Sequence, residues 1–418
     1  PGSLKTRFRL GGLLAYRQIT RSSWWTNILI IFVMTLTYLN LVVVSGILVG
    51  LIEGASTAVR HRYTSDVIVS NLKFKEYIQQ SSRIIKAAEV LPQVEAVTSR
   101  YVIGGAVEAN YKNRLRETDL IESAGTLIAG IDPEAEDRVT GLSDIVVEGS
   151  YLAPDDYDQV LVGSSLLNQY LPIDSPGFIT LTNVGIGSKV RLVIGDLTRE
   201  VTVKGITKSK VDEVDRRVFM VASQLRGLIT RYDYNVDEIA IKAVDPSEAS
   251  AIRDALNAQG FADYAKIQTW EDAQPKFLKD IKDTFALLGN VISSIGLTVA
   301  AITIFIVIFI NAITHRKYIG ILKGIGVTGN TIEIAYILQS LFYAILGTAL
   351  GIILVFLVIK PYLLAHPINF PFSDGILVAT VSGTLWRAAI LFAATMIAGY
   401  IPAKLVVRQN TLDAILGR

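Results

Sequence analysis

Asp155, Asp156 and Asp158 crowd one short stretch of this chain. Such a cluster could hold a divalent cation or divide into a general acid and a general base. It lies beside Pro154, though, where Asp favours turns and caps, and so reads as a solvated loop. Asp212, Glu213, Asp215, Arg216 and Arg217 mix their signs and read as a solvated face. His61, His315 and His366 are scattered without ligand spacing, which argues against a zinc enzyme. With no cysteine, the chain has neither a disulfide framework nor a thiolate metal site. There is no Gly-rich phosphate loop ending in Gly-Lys, no G-x-S-x-G elbow and no HExxH helix. The chain therefore reads as non-catalytic, with no ATP site of its own. Asn290, Asn311 and Gln339 fall inside apolar runs, where hydrogen bonding between helices accounts for them.

The stretch with the most direct physical reading is Ile313–Ile332. Its basic residues are His315, Arg316, Lys317 and Lys323, and no acid appears before Glu333. Tyr318, Ile321, Leu322 and Ile325 form an apolar stripe at helical spacing. Because the stretch separates two long apolar runs, it reads as a short amphipathic helix under the membrane. Basic residues hold such a connection in the cytoplasm. Gly324, Gly326 and Gly329 would let the chain turn back into the next span.

The rest of the chain supplies the frame for this helix. Hydrophobic residues make up 51% and charged residues 19%, which suits a few membrane helices plus a sizeable water-exposed domain. The net charge of +2 gives no sign of a nucleic-acid partner. Pro1-Gly2-Ser3 reads as a tag scar. Residues 4–21 carry Lys5, Arg7, Arg9, Arg17 and Arg21 interleaved with Phe8, Leu10, Leu13, Leu14 and Tyr16, an interfacial amphipathic helix. About 20 apolar residues span a bilayer. Residues 22–52, 284–314, 334–359 and 381–407 are accordingly read as four spans, with Arg387 snorkelling near the outer end of the last. The first two are longer than a bilayer needs. Gly46, Gly50 and Gly54, and again Gly347 and Gly351, form small-residue faces for close helix packing.

Residues 53–283 alternate strand-like and helix-like pieces. Residues 64–72, 94–111 and 238–244 read as strands, 77–91 and 246–259 as helices, and 187–206 as a hairpin. The fold class is an α-helical membrane protein of four spans, with a large α+β extracytoplasmic domain inserted between the first and second. Basic residues concentrate in the 4–21 helix, in the 315–333 connection and at Lys404 and Arg408 near the end, whereas the 360–380 loop offers only Lys360. Both termini are therefore placed in the cytoplasm, in a cytoplasmic (inner) membrane.

A long first span, a large outer domain and three clustered spans resemble the permeases of the MacB, FtsX and LolC/LolE type, the membrane subunits of mechanotransmission ABC transporters. The sequence RKYIGILKGIG at Arg316–Gly326 resembles that family's cytoplasmic signature, with Tyr318 where an acid is usual. The closing GYIPAKLVVRQNTLDAIL at Gly399–Leu416 is similar to the family's ending, with Thr411 or its neighbour in place of a proline. Gly125–Val139 and Lys266–Lys282 resemble the LolC/LolE outer domain, and residues 160–171 and 187–193 a segment common to the group.

The resemblance implies that two permeases pair, as a homodimer or heterodimer, and that separate ABC ATPase subunits bind ATP and Mg. Those subunits would press on a coupling helix at His315–Thr328, with Arg316, Lys317 and Lys323 as contacts. Ile319, Ile321, Leu322 and Ile325 would supply apolar surface for the ATPase groove or the membrane, Gly320 and Gly324 would permit close approach, and Gly326 belongs to the same coupling segment. The long first and second spans would pass the motion outward. An acyl chain would lie between Val42–Leu51 and Val291–Val299 of paired permeases. Lipoprotein release towards a periplasmic carrier is the specific expectation. MacB-like efflux of drugs or peptides through an adaptor, and FtsX-like control of a cell-wall hydrolase, are the alternatives.

Overall fold

The computed structural model describes residues 4–112, 121–171, 179–274, 276–366, 368–370, 373–375 and 377–408. Pro1–Ser3 and the tail beyond Arg408, including Thr411, lie outside these residues. The chain forms two compact units. One holds the residues up to Ile52 and those from Asp280 onward, and the other holds Glu53–Lys279 with Phe370–Ser373. Helix α1 (Leu4–Arg21) is followed by α2, a helical run from Trp24 to Thr64 with π turns at Asn40–Val44 and Arg60–Thr64.

The Glu53–Lys279 unit is built on a ten-stranded sheet. Its strands are β1 (Val67–Ser70), β2 (Val94–Ala109), β3 (Glu122–Ile131), β4 (Val146–Gly149), β5 (Gln159–Gly163), β6 (Lys189–Ile194), β7 (Leu197–Thr207), β8 (Arg217–Val221), β9 (Glu238–Ala243) and β10 (Lys266–Thr269). Helices α3 (Ser81–Glu89), α4 (Pro133–Thr140), α5 (Ala222–Leu228) and α6 (Ala249–Ala258) accompany it. The strands run in the order β10-β1-β9-β2-β3-β8-β5-β7-β4, and β6 pairs with both β2 and β7. Strand β2 is long enough to serve two partners, β9 along Val94–Arg100 and β6 along Ala106–Glu108, with β3 beside Arg100–Ala109.

Side chains alternate between two cores, as the period of a strand requires. Val160, Val162, Val218 and Met220 enter the larger core, whereas Leu161 and Phe219 enter a smaller one with Leu142 and Val214. The expected hairpin at 187–206 is β6–β7, paired in antiparallel register. The strand expected from Thr64 begins instead at Val67, because the helical run of α2 reaches Thr64 and Ser65 then turns with φ 51°.

Four helices then close the chain: α7 (Lys276–Thr314), α8 (Arg316–Gly324), α9 (Gly329–Ala365, with a π turn at Val355–Ile359) and α10 (Val381–Val407). Among the described residues, α2, α7 from Leu278, α9 and α10 are long and apolar enough to cross a membrane. Helix α9 is the hub, packing against α1, α2 and α10. Its buried stripe Tyr336, Gln339, Tyr343, Gly347 and Gly351 repeats every three to four residues. Helix α7 is covered least, and its Val291, Ile295, Val299, Ile302, Ile306 and Ile310 stay exposed in one row.

A buried ionic network anchors the soluble unit. Arg100 on β2 and Glu136 on α4 are each only 2% exposed and pair at 2.7 Å. Thr98 and Thr140 hydroxyls also donate to Glu136, each at 3.0 Å. Glu238 on β9 accepts from Arg217 on β8 at 2.8 Å, from Arg100 at 3.2 Å and from the Tyr63 hydroxyl at 2.9 Å. Arg100 also donates to the Tyr63 carbonyl at 3.0 Å, and both guanidiniums lie over the Tyr63 ring. The mixed-charge run was expected to be a solvated face. In fact Arg217 is buried here, and Asp215 accepts from the backbone N–H groups of Ser209 and Lys210 at 2.7 Å each. Two arginines opposite two glutamates leave the cluster neutral, which offsets the large cost of taking charges out of water.

Burial alone would raise the Glu238 carboxyl, but Arg217 and Arg100 outweigh it and hold the group at about 2. A depressed folded value stabilises the fold fully above the unfolded value, here 4.5, and that contribution is lost as pH falls through about 2. Replacing Glu238 by Gln should destabilise the soluble unit of the full chain at neutral pH by about 3–5 kcal/mol in urea titrations. The same variant should lose less stability than the parent on acidification below pH 4.5. Equal midpoints at neutral pH would remove the network from the stability of this unit.

Candidate functional site

Helix α8 sits between the ends of α7 and α9. Ile319 and Gly320 are buried and Leu322 is half-buried against the helical core, whereas Tyr318, Ile321 and Ile325 are 67%, 51% and 74% exposed. The stripe expected on one face is thus divided. Ile319 and Leu322, three residues apart, turn into the bundle with Gly320 beside them, because at 100° per residue Ile319 and Gly320 lie round the helix from the exposed Tyr318, Ile321 and Ile325, and Leu322 lies at the border. Lys317 is exposed beside Tyr318, and Arg316 is half-buried.

The end of α8 is closed by a Schellman motif. Val327 N–H reaches back to Leu322 O at 2.9 Å, Gly326 N–H to Lys323 O at 3.1 Å, and Gly326 has φ 98°. Of the three glycines expected to turn the chain, Gly326 makes the turn; Gly324 and Gly329 lie in helices. Lys323 Nζ donates to Val407 O at 2.9 Å, placing a cation on the last carbonyls of α10 where the helix dipole favours it. A Cβ on Gly329 would come within 2.8 Å of Val407 Cγ1, so α9 starts in contact with the same helix end.

The expected glycine faces fall into different arrangements. A Cβ on Gly347 would lie 2.3 Å from Met34 Cβ, and one on Gly351 would lie 2.3 Å from Tyr38 Cδ1. Helices α2 and α9 therefore touch backbone to side chain, and Thr35 Oγ1 donates to Gly347 O at 3.2 Å. Gly46 instead faces the extended segment before α10, where Val378 N–H donates to Gly46 O at 3.1 Å. Gly50 is buried and Gly54 half-buried. Sequence reasoning missed Gly289 and Gly296, which bring α7 against Ser45 and Asn40 of α2. Their seven-residue spacing is the signal that could have found them.

Beside that contact a cavity of about 540 Å³ opens between α2, α7 and α10. Arg387 Nη2 donates to Ser45 Oγ at 2.7 Å, and that hydroxyl donates to Leu41 O at 2.9 Å. Of the aspartates considered first, Asp155 is exposed, and Asp156 and Asp158 are structural. Asp156 pairs with Lys204 and accepts from Ala153 N–H, and Asp158 holds Arg199 at 2.6 Å. No cluster of three metal-ligating side chains occurs among the described residues.

The chain is thus a multi-pass membrane protein with an α+β unit between its first two apolar helices. Residues 41–259 match the family model described as a MacB-like periplasmic core domain, and residues 290–411 match the FtsX-like permease C-terminal model. The chain belongs to the MacB/FtsX-like group of ABC-type permeases. It is 23% identical over 242 residues to a lipoprotein-releasing system transmembrane protein, LolC, of Neisseria meningitidis, covering 56% of this chain and 55% of that one. It is 26% identical over 197 residues to the macrolide export ATP-binding/permease protein MacB of Escherichia coli, covering 46% of this chain and 28% of that one. The chain thus spans about half of one relative and less of the other. The periplasmic region of MacB from Actinobacillus actinomycetemcomitans matches at 16% identity and TM-score 0.35, covering 51% of this chain and 92% of that one.

The α2–α9 seam yields a direct test. Gly347→Ala places a methyl against Met34 and backbone that cannot swing aside, and should destabilise the detergent-solubilised chain by about 1–3 kcal/mol. Gly12→Ala, whose Cβ would stand 4.0 Å from Leu338, should leave thermal unfolding unchanged. Identical unfolding curves for the two variants would deny the seam its tight packing.

Proposed function

We propose that this chain is the membrane subunit of an ATP-driven mechanotransmission transporter that handles a lipidated or amphipathic substrate, with lipoprotein release as its specific activity. The observation that carries this reading is α8, a short helix wedged into the bundle by Ile319 and Leu322 that leaves Tyr318, Ile321 and Ile325 outside. Those three residues, with Lys317, suit the groove of a separate ABC ATPase. That partner binds ATP and Mg, and this chain needs no cofactor. The basic residues of α1 and α8 favour the cytoplasmic side for both, with both termini inside and the soluble unit periplasmic or extracellular. Helices α2 and α7, longer than a bilayer requires, are suited to passing the push of the ATPase to that unit.

The exposed row on α7 suits a second permease, and a lipid chain fits between the two along Val291, Ile295 and Val299. The opposite wall suggested by the sequence narrows, since Val42 is wholly buried and Leu51 nearly so. Likeness to LolC across 56% of the chain favours lipoprotein release to a carrier. Likeness to MacB favours a second reading, export of a drug or peptide through a periplasmic adaptor.

Two experiments test these statements. The double variant Ile321→Asp, Ile325→Asp should insert normally and abolish stimulation of the partner ATPase in the reconstituted complex; undiminished stimulation would exclude α8 as the docking helix. Photocrosslinkers at Val291, Ile295 and Val299 should capture lipoproteins in cells. Capture of phospholipid and a neighbouring permease alone would move the assignment to efflux.

A further inference from the structure

We propose that the cavity between α2, α7 and α10 is a binding site for the phosphate of a membrane phospholipid, held by Arg387. This residue lies six positions into α10, a helix long and apolar enough to cross a membrane. A charge within such a helix is costly and demands a partner. Among the described residues no carboxylate pairs with it, and its protein hydrogen bond goes to the neutral hydroxyl of Ser45. That hydroxyl is itself tied to Leu41 O, so it orients the guanidinium without neutralising it. A guanidinium carries five N–H donors in a planar fork suited to phosphate oxygens. With one spent on Ser45, the others are available to a ligand in the cavity that Arg387 lines.

The walls decide what kind of anion fits. Asn290, Ser293 and Thr380 supply polar groups near the arginine, while Leu297 and Ile390 are aliphatic. One cationic end and an apolar remainder match an amphiphile with its phosphate at Arg387 and its chains along α7 and α10. A free phosphate ion would leave the aliphatic walls unused. Ser45, Gly46, Val49, Ser293 and Leu297 of this cavity belong to the stretches expected to flank an acyl chain, but the phosphate contact proposed here is Arg387 on α10 and is tested whatever the transporter moves.

The test uses the full purified chain and native mass spectrometry, offering phosphatidylglycerol, diacylglycerol or inorganic phosphate. The unaltered chain should retain phosphatidylglycerol in preference to diacylglycerol. Arg387→Gln should weaken that retention by roughly tenfold or more, as expected for loss of charge-assisted hydrogen bonds. Arg387→Lys should fall between the two. Ser293→Phe, which fills the cavity and leaves the arginine in place, should also release the lipid and covers the case in which Arg387→Gln fails to fold. Equal retention by Arg387→Gln, equal retention of diacylglycerol, or binding of inorganic phosphate with no preference for the lipid would each overturn the proposal.

Discussion

Two arginines lie over the Tyr63 ring, and the Glu53–Lys279 unit is arranged around that contact. Its ring faces both guanidiniums, its hydroxyl donates to Glu238, and its carbonyl accepts from Arg100. These partners come from β2, β8 and β9, and Glu136 brings in α4. An isolated buried charge would be expelled or neutralised. The four charges are therefore tolerable only together, and only when the last turn of α2 occupies its place beside them. Asp66 extends the arrangement, accepting from Arg60 at 2.8 Å and from Ala243 N–H at 2.8 Å. The point at which helix gives way to sheet is thus set by electrostatics as well as by packing.

How much of this was legible depended on whether the relevant pattern was local. Apolar runs interrupted by basic stretches identified four membrane-crossing helices, because hydropathy is a property of consecutive residues. The hairpin at β6–β7 was legible for the same reason: alternation brackets the Gly195 turn. Arg100, Glu136, Arg217 and Glu238 were not, since nothing near them in sequence distinguishes a buried arginine from a solvated one. Arg217 sits in a run that looks like ordinary surface, and the strands around it alone determine its burial. The α8 stripe was half legible. Helical spacing found its apolar residues, but which of them face the bundle depends on the surrounding helices.

Helix α8 combines rigidity with exposure. Ile319 and Leu322 fill space in the bundle, the Schellman turn closes its end, and Lys323 ties it to the last carbonyl of α10. A helix of nine residues would be marginal alone in water. Here tertiary contacts hold it, so its outward residues are presented at little further entropic cost to a partner. Because Lys323 is tied to Val407 and Gly329 touches the same residue, a displacement of α8 is shared by the ends of α10 and α9.

The π turn at Asn40–Val44 gives α2 a property that hydropathy does not convey. One extra residue in a helical turn rotates everything after it by about 100° relative to an uninterrupted α-helix. Met34 and Tyr38, before the turn, meet the glycines of α9, while Gly46, after it, meets the segment leading into α10. The two halves of the helix therefore have separate angular phases and separate neighbours. Torsion applied to one half has a wider, more loosely bonded turn in which to dissipate, so α2 is better suited to transmitting thrust along its axis than twist about it.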